Sequence, residues 1–120
     1  MARINYVELP ARDTAASRDF YATTFGWSFT DFGPTYAATL GGTGGGGVDL
    51  GLQGDPDESP LAPLPVIEVE DLDAALGAVE AAGGRITRAI FAFPGGRRFE
   101  FADPAGNAIA VSTPAHTEAG

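Results

Sequence analysis

The 120-residue sequence contains no cysteine and no lysine, and its one histidine, His116, lies close to the end. These absences exclude thiol nucleophiles, Schiff-base lysines and phosphate-loop lysines, and they argue against a Ser-His-Asp triad. Zinc sites built from cysteine or from several histidines are excluded as well. Any chemistry therefore has to use Asp, Glu, Tyr, Ser or Arg side chains, or a metal held by carboxylates.

Positive charge is also scarce. All seven basic residues are arginines, and 16 acidic residues oppose them, which gives a formal net charge of −9. Such a protein repels nucleic acid and anionic membranes at long range and attracts cations, organic ones included. No apolar run approaches the roughly 18 residues of a membrane span, and the start has no apolar signal core. We expect a cytoplasmic protein without nucleic-acid or membrane partners, and the lack of cysteine fits a reducing compartment.

The two halves of the chain repeat one pattern at a spacing of 58 residues. In each half a strand-like run precedes a helix that an aspartate opens and a glycine closes. These residues are Asp13 and Gly26 in the first half and Asp71 and Gly84 in the second. Aspartate is a preferred N-cap and glycine a preferred C-terminal stop. Three strand-like runs follow each helix. The predicted organisation is one domain with repeat one over 4–53, a linker over 54–63, repeat two over 64–113 and a flexible tail over 114–120.

This repeat predicts an α+β fold in which two βαβββ units form a curved, mainly antiparallel sheet with a concave cavity. A unit with one helix covers only one face of its own sheet, so the two copies have to pack together. The inner faces, which carry no helix, are the expected place for a small ligand.

Several short motifs occur in a characteristic order along the chain. They are Val7-Glu8-Leu9-Pro10-Ala11-Arg12-Asp13, Phe20-Tyr21, Phe25-Gly26-Trp27, Val69-Glu70-Asp71-Leu72, Ala82-Gly83-Gly84 and Asp103-Pro104-Ala105-Gly106-Asn107. In this order, and with the internal repeat, the sequence resembles the vicinal oxygen chelate superfamily, which includes glyoxalase I, extradiol dioxygenases and bleomycin resistance proteins. The resemblance covers residues 4–113. It implies the glyoxalase/bleomycin resistance fold and, as for small single-domain members, a homodimer.

The resemblance also indicates where a metal would be held. Metal enzymes of the superfamily place one ligand on the first strand and one on the last strand of each repeat. The matching positions here carry Tyr6, Leu52, Leu64 and Ala110. Leucine and alanine have no donor atom, and a lone phenol is a poor ligand for Mn, Ni or Zn. We therefore expect no family metal site, no cofactor, and neither glyoxalase I nor dioxygenase activity.

Strand alternation predicts which side chains share the concave face. Glu8 lies beside Tyr6 and is interpreted as a partner for a ligand amine, as a general base, or as half of a salt bridge to an arginine. On the seventh strand either Arg98 and Glu100 or the neighbouring phenylalanines line the cavity, and the pattern leaves both open. The candidate ligand-binding residues are Tyr6, Glu8, Tyr36, Leu52, Leu64, Arg98, Glu100 and Ala110, with Glu8 and Glu100 as candidate catalytic carboxylates.

Three functions are compatible with this site. The first is a metal-independent protein that binds a small aromatic or cationic molecule without converting it, similar to bleomycin resistance-type proteins. The second is a metal-independent lyase- or isomerase-like enzyme that uses a Glu/Tyr pair. The third is an accessory domain whose cavity is filled by its own side chains, which the large residues Tyr6, Leu52 and Leu64 favour.

Overall fold

The computed structural model describes residues 2–44 and 47–114, so His116 lies outside the described residues. Asn5–Leu64 forms one compact unit, and the other described residues form a second. Their elements, in chain order, are β1 Arg3–Pro10, α1 Thr14–Phe25, β2 Thr30–Asp31, β3 Tyr36–Ala38, β4 Asp49–Gln53, β5 Leu64–Glu68, α2 Leu72–Ala81, β6 Arg85–Phe93, β7 Gly96–Ala102 and β8 Ala108–Pro114.

Both units have the same topology. In the first unit the strand order is β2-β3-β4-β1, with β1 parallel to β4 and the other pairs antiparallel. In the second unit the order is β5-β8-β7-β6, with β5 parallel to β8 and the other pairs antiparallel. Helix α1 packs on β3 and β4, and α2 packs on β6, β7 and β8. The predicted α+β class, with mainly antiparallel pairing, is confirmed.

The helices begin where the sequence predicts. The carboxylate of Asp13 accepts a hydrogen bond from the backbone N–H of Ala16 at 3.0 Å. Asp71 accepts the equivalent bond from Ala74 at 3.0 Å. Such a cap satisfies one of the four backbone donors that have no partner within the first turn.

The helix ends differ between the repeats. Gly26 closes α1 in the left-handed conformation, with φ of 75°, as predicted. In the second repeat the glycine with positive φ is Gly83, at 98°, so the prediction of Gly84 was wrong by one residue. Gly84 is needed for another reason, because a Cβ there would lie 2.6 Å from Cγ1 of Val79.

The core of the second unit decides which face of β7 meets the helix. Leu72, Phe99 and Val111 are buried together, and the partly buried side chains of Leu76 and Phe101 pack against them. Phe99 and Phe101 therefore lie under α2. Because successive side chains of a strand point to opposite faces, Arg98 and Glu100 lie on the face of β7 away from α2.

The segment over 54–63, predicted as a linker, lies within the first unit and is hydrogen-bonded to other residues of that unit. The backbone N–H of Gly54 donates to the carbonyl of Thr35 at 2.7 Å, and Oγ of Ser59 donates to the carbonyl of Gln53 at 3.2 Å. Neither α1 nor α2 is long and apolar enough to cross a membrane.

Candidate functional site

One sheet face of the first unit collects two phenols and two carboxylates. Cα pairing sets Tyr6 opposite Asp49, Glu8 opposite Gly51, and Tyr36 opposite Gln53. Residues directly opposite each other on neighbouring strands share a face. We call the set Tyr6, Glu8, Tyr36, Asp49 and Gly51 the tyrosine face.

The two tyrosines meet above Gly51. Their hydroxyl groups are hydrogen-bonded to each other, although the residues are 30 positions apart. A Cβ built at Gly51 would lie 2.7 Å from Cζ of Tyr6 and would also meet both hydroxyl oxygens. The missing side chain of Gly51 therefore provides the space in which the hydroxyls pair.

The surroundings of Tyr6 are electrically negative. Burial raises the pKa of Tyr6 above its ordinary value, the neighbouring Tyr36 raises it further, and the charges of Glu8 and Asp49 add to the effect. Glu8 is only 4% exposed. The Tyr6 phenol therefore stays protonated in neutral solution, and the face favours a positively charged group.

Asp49 links the tyrosine face to Gly42, which lies in the glycine-rich sequence over 41–47. Its Oδ1 accepts hydrogen bonds from Oγ1 of Thr39 at 2.6 Å and from the backbone N–H of Gly42 at 2.7 Å. Thr39 is itself buried. The carboxylate of Asp49 thus receives two donors, which fix it at the edge of the face.

A second cluster lies in the second unit, on the face of β7 away from α2. We call Arg88, Phe91, Phe93, Arg98 and Glu100 the arginine face. The guanidinium of Arg88 lies 3.6 Å above the ring centre of Phe91, and that of Arg98 lies 5.5 Å from the same ring. Glu100 accepts a hydrogen bond from Arg98 at 3.0 Å and forms an ion pair with Arg88 at 3.9 Å.

Bulges in β6 build this cluster. The β6–β7 register shifts between Ile86 and Arg88 and again between Arg88 and Phe91. An extra residue in one strand moves the following side chains to the other face. Phe91 therefore joins Arg88 on one face, although three positions separate them.

The structure places Leu52 away from the predicted site. Leu52 is opposite Leu9 in β1 and Ala37 in β3, so it lies on the face of β4 opposite to Gly51. The 58-residue spacing predicts Leu52 as the counterpart of Ala110. However, the register of the β1–β4 pair differs by one residue from that of the β5–β8 pair. Val66 is opposite Ala110, whereas the repeat partner of Val66, Glu8, is opposite Gly51.

The remaining predicted residues lie as follows. Ala110 is buried and is opposite Glu100, so it shares the face of Glu100 and Arg98. Leu64 is buried at the start of β5. Tyr6, Glu8 and Tyr36 lie together on the tyrosine face.

Sequence reasoning missed five members of the two faces, namely Asp49, Gly51, Arg88, Phe91 and Phe93. Of these, Asp49 and Gly51 follow from the alternation of β4 once its register is known. The odd spacing of Arg88 and Phe91 gives no such signal.

The donor set does not fit a divalent metal at the family positions. Tyr6 offers a single phenol, and Leu64, Ala110 and either Leu52 or Gly51 offer no side-chain donor. Over 2–44 and 47–114, no group of three or more His, Cys, Asp or Glu side chains is placed to hold a metal ion. A Lewis-acid site needs several nitrogen or oxygen ligands.

Known proteins resemble this chain over most of its length. The curated relatives include "Putative glyoxylase CFP32" of Mycobacterium bovis and of Mycobacterium tuberculosis, each 31% identical over 114 residues. The match covers 89% of this chain but 44% of each relative, so the chain spans less than half of their length.

Solved structures show the same fold. Methylmalonyl-CoA epimerase from Mycobacterium tuberculosis superposes with a TM-score of 0.73 at 17% identity, covering 94% of this chain and 88% of that one. The Mn(II)-bound glyoxalase from Novosphingobium aromaticivorans gives 0.67 at 23% identity, covering 100% of this chain and 44% of that one. Identities this low support the fold and not a shared activity.

The sequence of this chain matches the family model of the Glyoxalase/Bleomycin resistance protein/Dioxygenase superfamily over residues 3–111. The two repeats have the βαβββ order that the sequence predicts. The chain is therefore a member of the glyoxalase/bleomycin resistance protein/dioxygenase superfamily.

Proposed function

We propose that this protein binds a small aromatic cation on its tyrosine face and does so without a metal. The observation that carries the proposal is Glu8, a carboxylate that is only 4% exposed on the same face as two tyrosine rings. The proposal includes the absence of nucleic-acid and membrane partners, which the net charge of −9 supports. It also includes a cytoplasmic location, which the lack of cysteine fits.

The chemistry of the face favours an ammonium attached to a ring. A carboxylate in a site of low dielectric attracts a cation more strongly than it does in water. Tyrosine rings add attraction to a cation over their faces and apolar contact with a ligand ring. Asp49 lies opposite Tyr6 and contributes to the same negative field.

Two probes of equal shape test the charge requirement on the unmodified protein. Benzylamine is protonated near neutral pH, whereas benzyl alcohol is neutral. We expect calorimetry or protein-observed NMR to show benzylamine binding at least about tenfold more tightly, a difference of one charge-assisted contact. Equal affinity of the two probes, or no binding of either, overturns the proposal.

A pair of variants locates the binding carboxylate. Glu8→Gln keeps the shape and removes the charge, so benzylamine affinity should fall at least about tenfold. Glu80→Gln makes the same change at an exposed position in α2, and affinity should stay unchanged. Circular dichroism verifies that both variants fold. If Glu8→Gln folds and still binds benzylamine like the unmodified protein, the site lies elsewhere.

A second function is favoured by the same pair of groups. Glu8 and the protonated phenol of Tyr6 lie on one face, which is the arrangement of a base beside an acid in proton-transfer catalysis. In that case a bound carbon acid should exchange its acidic C–H for deuterium in D2O, and Glu8→Gln should stop the exchange. A ligand that returns without deuterium supports binding alone.

A further inference from the structure

The hydroxyl pair of the tyrosine face lies beside its buried carboxylate. Gly51 is the Cα partner of Glu8 in the β1–β4 pairing. The hydroxyls of Tyr6 and Tyr36 meet where a side chain of Gly51 would stand. The Cβ positions of directly opposite residues are about 5 Å apart. The two phenol oxygens therefore lie within reach of a ligand group that contacts Glu8.

These groups offer more hydrogen-bond acceptors than donors. An ionised carboxylate only accepts, whereas a phenol donates its one proton and also accepts through its oxygen. One of the phenol protons is used in the bond between Tyr6 and Tyr36. Burial above all raises the pKa of Tyr6, so this phenol stays neutral and the negative charge comes from the carboxylates. A cation that carries N–H groups therefore meets several acceptors on this face.

The space beside Glu8 favours a compact head group. Glu8 is almost completely buried, and Tyr6 and Tyr36 are each partly buried. A single Cβ at Gly51 would already meet both hydroxyls. A primary ammonium is small and carries N–H donors. A trimethylammonium group has the same charge, but methyl groups replace its N–H donors and make it larger.

Two tyrosines could also bind a cation as an aromatic cage does. Such cages hold quaternary ammonium groups against the faces of their rings, without hydrogen bonds. Here the two tyrosines meet through their hydroxyls. Phe32 packs against the ring of Tyr36, with ring centres 6.2 Å apart, and so supports this orientation. The phenol oxygens, and not two facing rings, are thus brought together beside Glu8.

We propose that the tyrosine face selects a primary ammonium over a quaternary one, and that the hydroxyl of Tyr36 determines this preference. The inference rests on the proposed function, because it concerns the same cation beside Glu8. The ammonium donates one hydrogen bond to the carboxylate of Glu8 and another to the phenol oxygen of Tyr6. The hydroxyl of Tyr36 orients that of Tyr6, so Tyr36 is a positioning residue for the second bond. A trimethylammonium group forms neither bond.

Two cations with the same ring and charge test the preference on the unmodified protein. Benzylamine, which is protonated near neutral pH, carries N–H donors, and benzyltrimethylammonium carries none. We expect calorimetry or protein-observed NMR to show benzylamine binding at least about tenfold more tightly, as for the loss of a hydrogen bond to a charged group. Equal affinity of the two cations, or tighter binding of the quaternary one, overturns the inference and indicates an aromatic cage.

A matched pair of variants tests the role of the Tyr36 hydroxyl. Tyr36→Phe keeps the ring and removes the hydroxyl, so the affinity ratio of benzylamine to benzyltrimethylammonium should fall to about threefold or less. Tyr21→Phe makes the same change in α1, outside the tyrosine face, and should leave the ratio unchanged. Circular dichroism verifies that both variants fold. A folded Tyr36→Phe variant that keeps the ratio of the unmodified protein overturns the role of this hydroxyl.

The failure of this inference and that of the proposed function give different results. If benzyltrimethylammonium binds as tightly as benzylamine while benzyl alcohol binds more weakly, the charge requirement stands and the preference for N–H donors is wrong. If benzylamine binds no better than benzyl alcohol, the proposed function is wrong, and the inference that rests on it is overturned as well. The comparison of the two cations needs no variant, so it decides the preference even if Tyr36→Phe does not fold.

Discussion

At the scale of single residues, two glycines show that the effect of a substitution depends on the atoms around it. A Cβ at Gly51 would meet Tyr6 and Tyr36, whereas a Cβ at Gly77, within α2, would meet nothing within 4 Å. Neither residue has the positive φ that only glycine adopts easily. The same change, glycine to alanine, should therefore have opposite effects at the two positions.

Gly51→Ala should lower the free energy of unfolding by about 1–3 kcal/mol, because the added methyl forces the two phenols apart. Gly77→Ala should raise it by up to about 1 kcal/mol, because alanine is the better residue inside a helix. Urea unfolding measures both variants against the unmodified chain. A Gly51→Ala variant as stable as the original would show that the hydroxyls do not meet above this residue.

At the scale of elements, the turn between β7 and β8 depends on one carboxylate. Asp103 accepts hydrogen bonds from the backbone N–H groups of Ala105 at 3.0 Å and Asn107 at 2.8 Å, and from the Asn107 amide at 3.0 Å. These bonds, those of Asn107 above all, lower the pKa of Asp103 below its ordinary value. The ionised form therefore stabilises the folded turn.

This shift gives a pH dependence with a definite sign. The stabilisation is complete above the unfolded-state pKa of about 3.8 and is lost as pH falls through the lower folded-state pKa. Near pH 6, the Asp103→Asn variant should melt at a lower temperature than the unmodified chain. The two melting temperatures should converge as the pH falls through the folded-state pKa of Asp103. Thermal unfolding followed by circular dichroism gives both curves. A constant difference down to the most acidic pH would contradict the role of the charge.

At the scale of the whole molecule, the net charge of −9 should strengthen the binding of a cation. Salt screens this long-range attraction, so benzylamine should bind several-fold more weakly when NaCl is raised from about 0.05 to about 0.5 M. Calorimetry at both salt concentrations measures the change, with the neutral benzyl alcohol as the control. A benzylamine affinity that does not depend on salt would show that the net charge plays no part in binding.

Much of the fold follows from local signals. Asp13 and Asp71 cap helices because of their own chemistry, and the 58-residue repeat predicts two units of equal topology. The candidate site was harder to predict, because the face on which a side chain lies depends on how its strand is paired. The β1–β4 and β5–β8 pairs differ by one residue in register, so Gly51, and not Leu52, lies on the tyrosine face.

The faces of β6 and β7 could be assigned only from the packing of their side chains. The alternation of β7 is equally consistent with either face inward, and the contact of Phe99 with Leu72 under α2 decides between them. The bulges of β6 leave no trace in an alternating sequence, so the position of Phe91 beside Arg88 had to come from the structure.

The hydroxyl pair above Gly51 also limits the evolutionary routes open to this chain. Any side chain at position 51 meets both phenols, so a carboxylate or an imidazole at this position requires the tyrosines to move. Tyr6 or Tyr36 would have to become smaller first, and contacting positions of this kind do not mutate independently. The order of mutations is thus constrained, and a descendant that gains a ligand at position 51 should already have lost one of the two tyrosines.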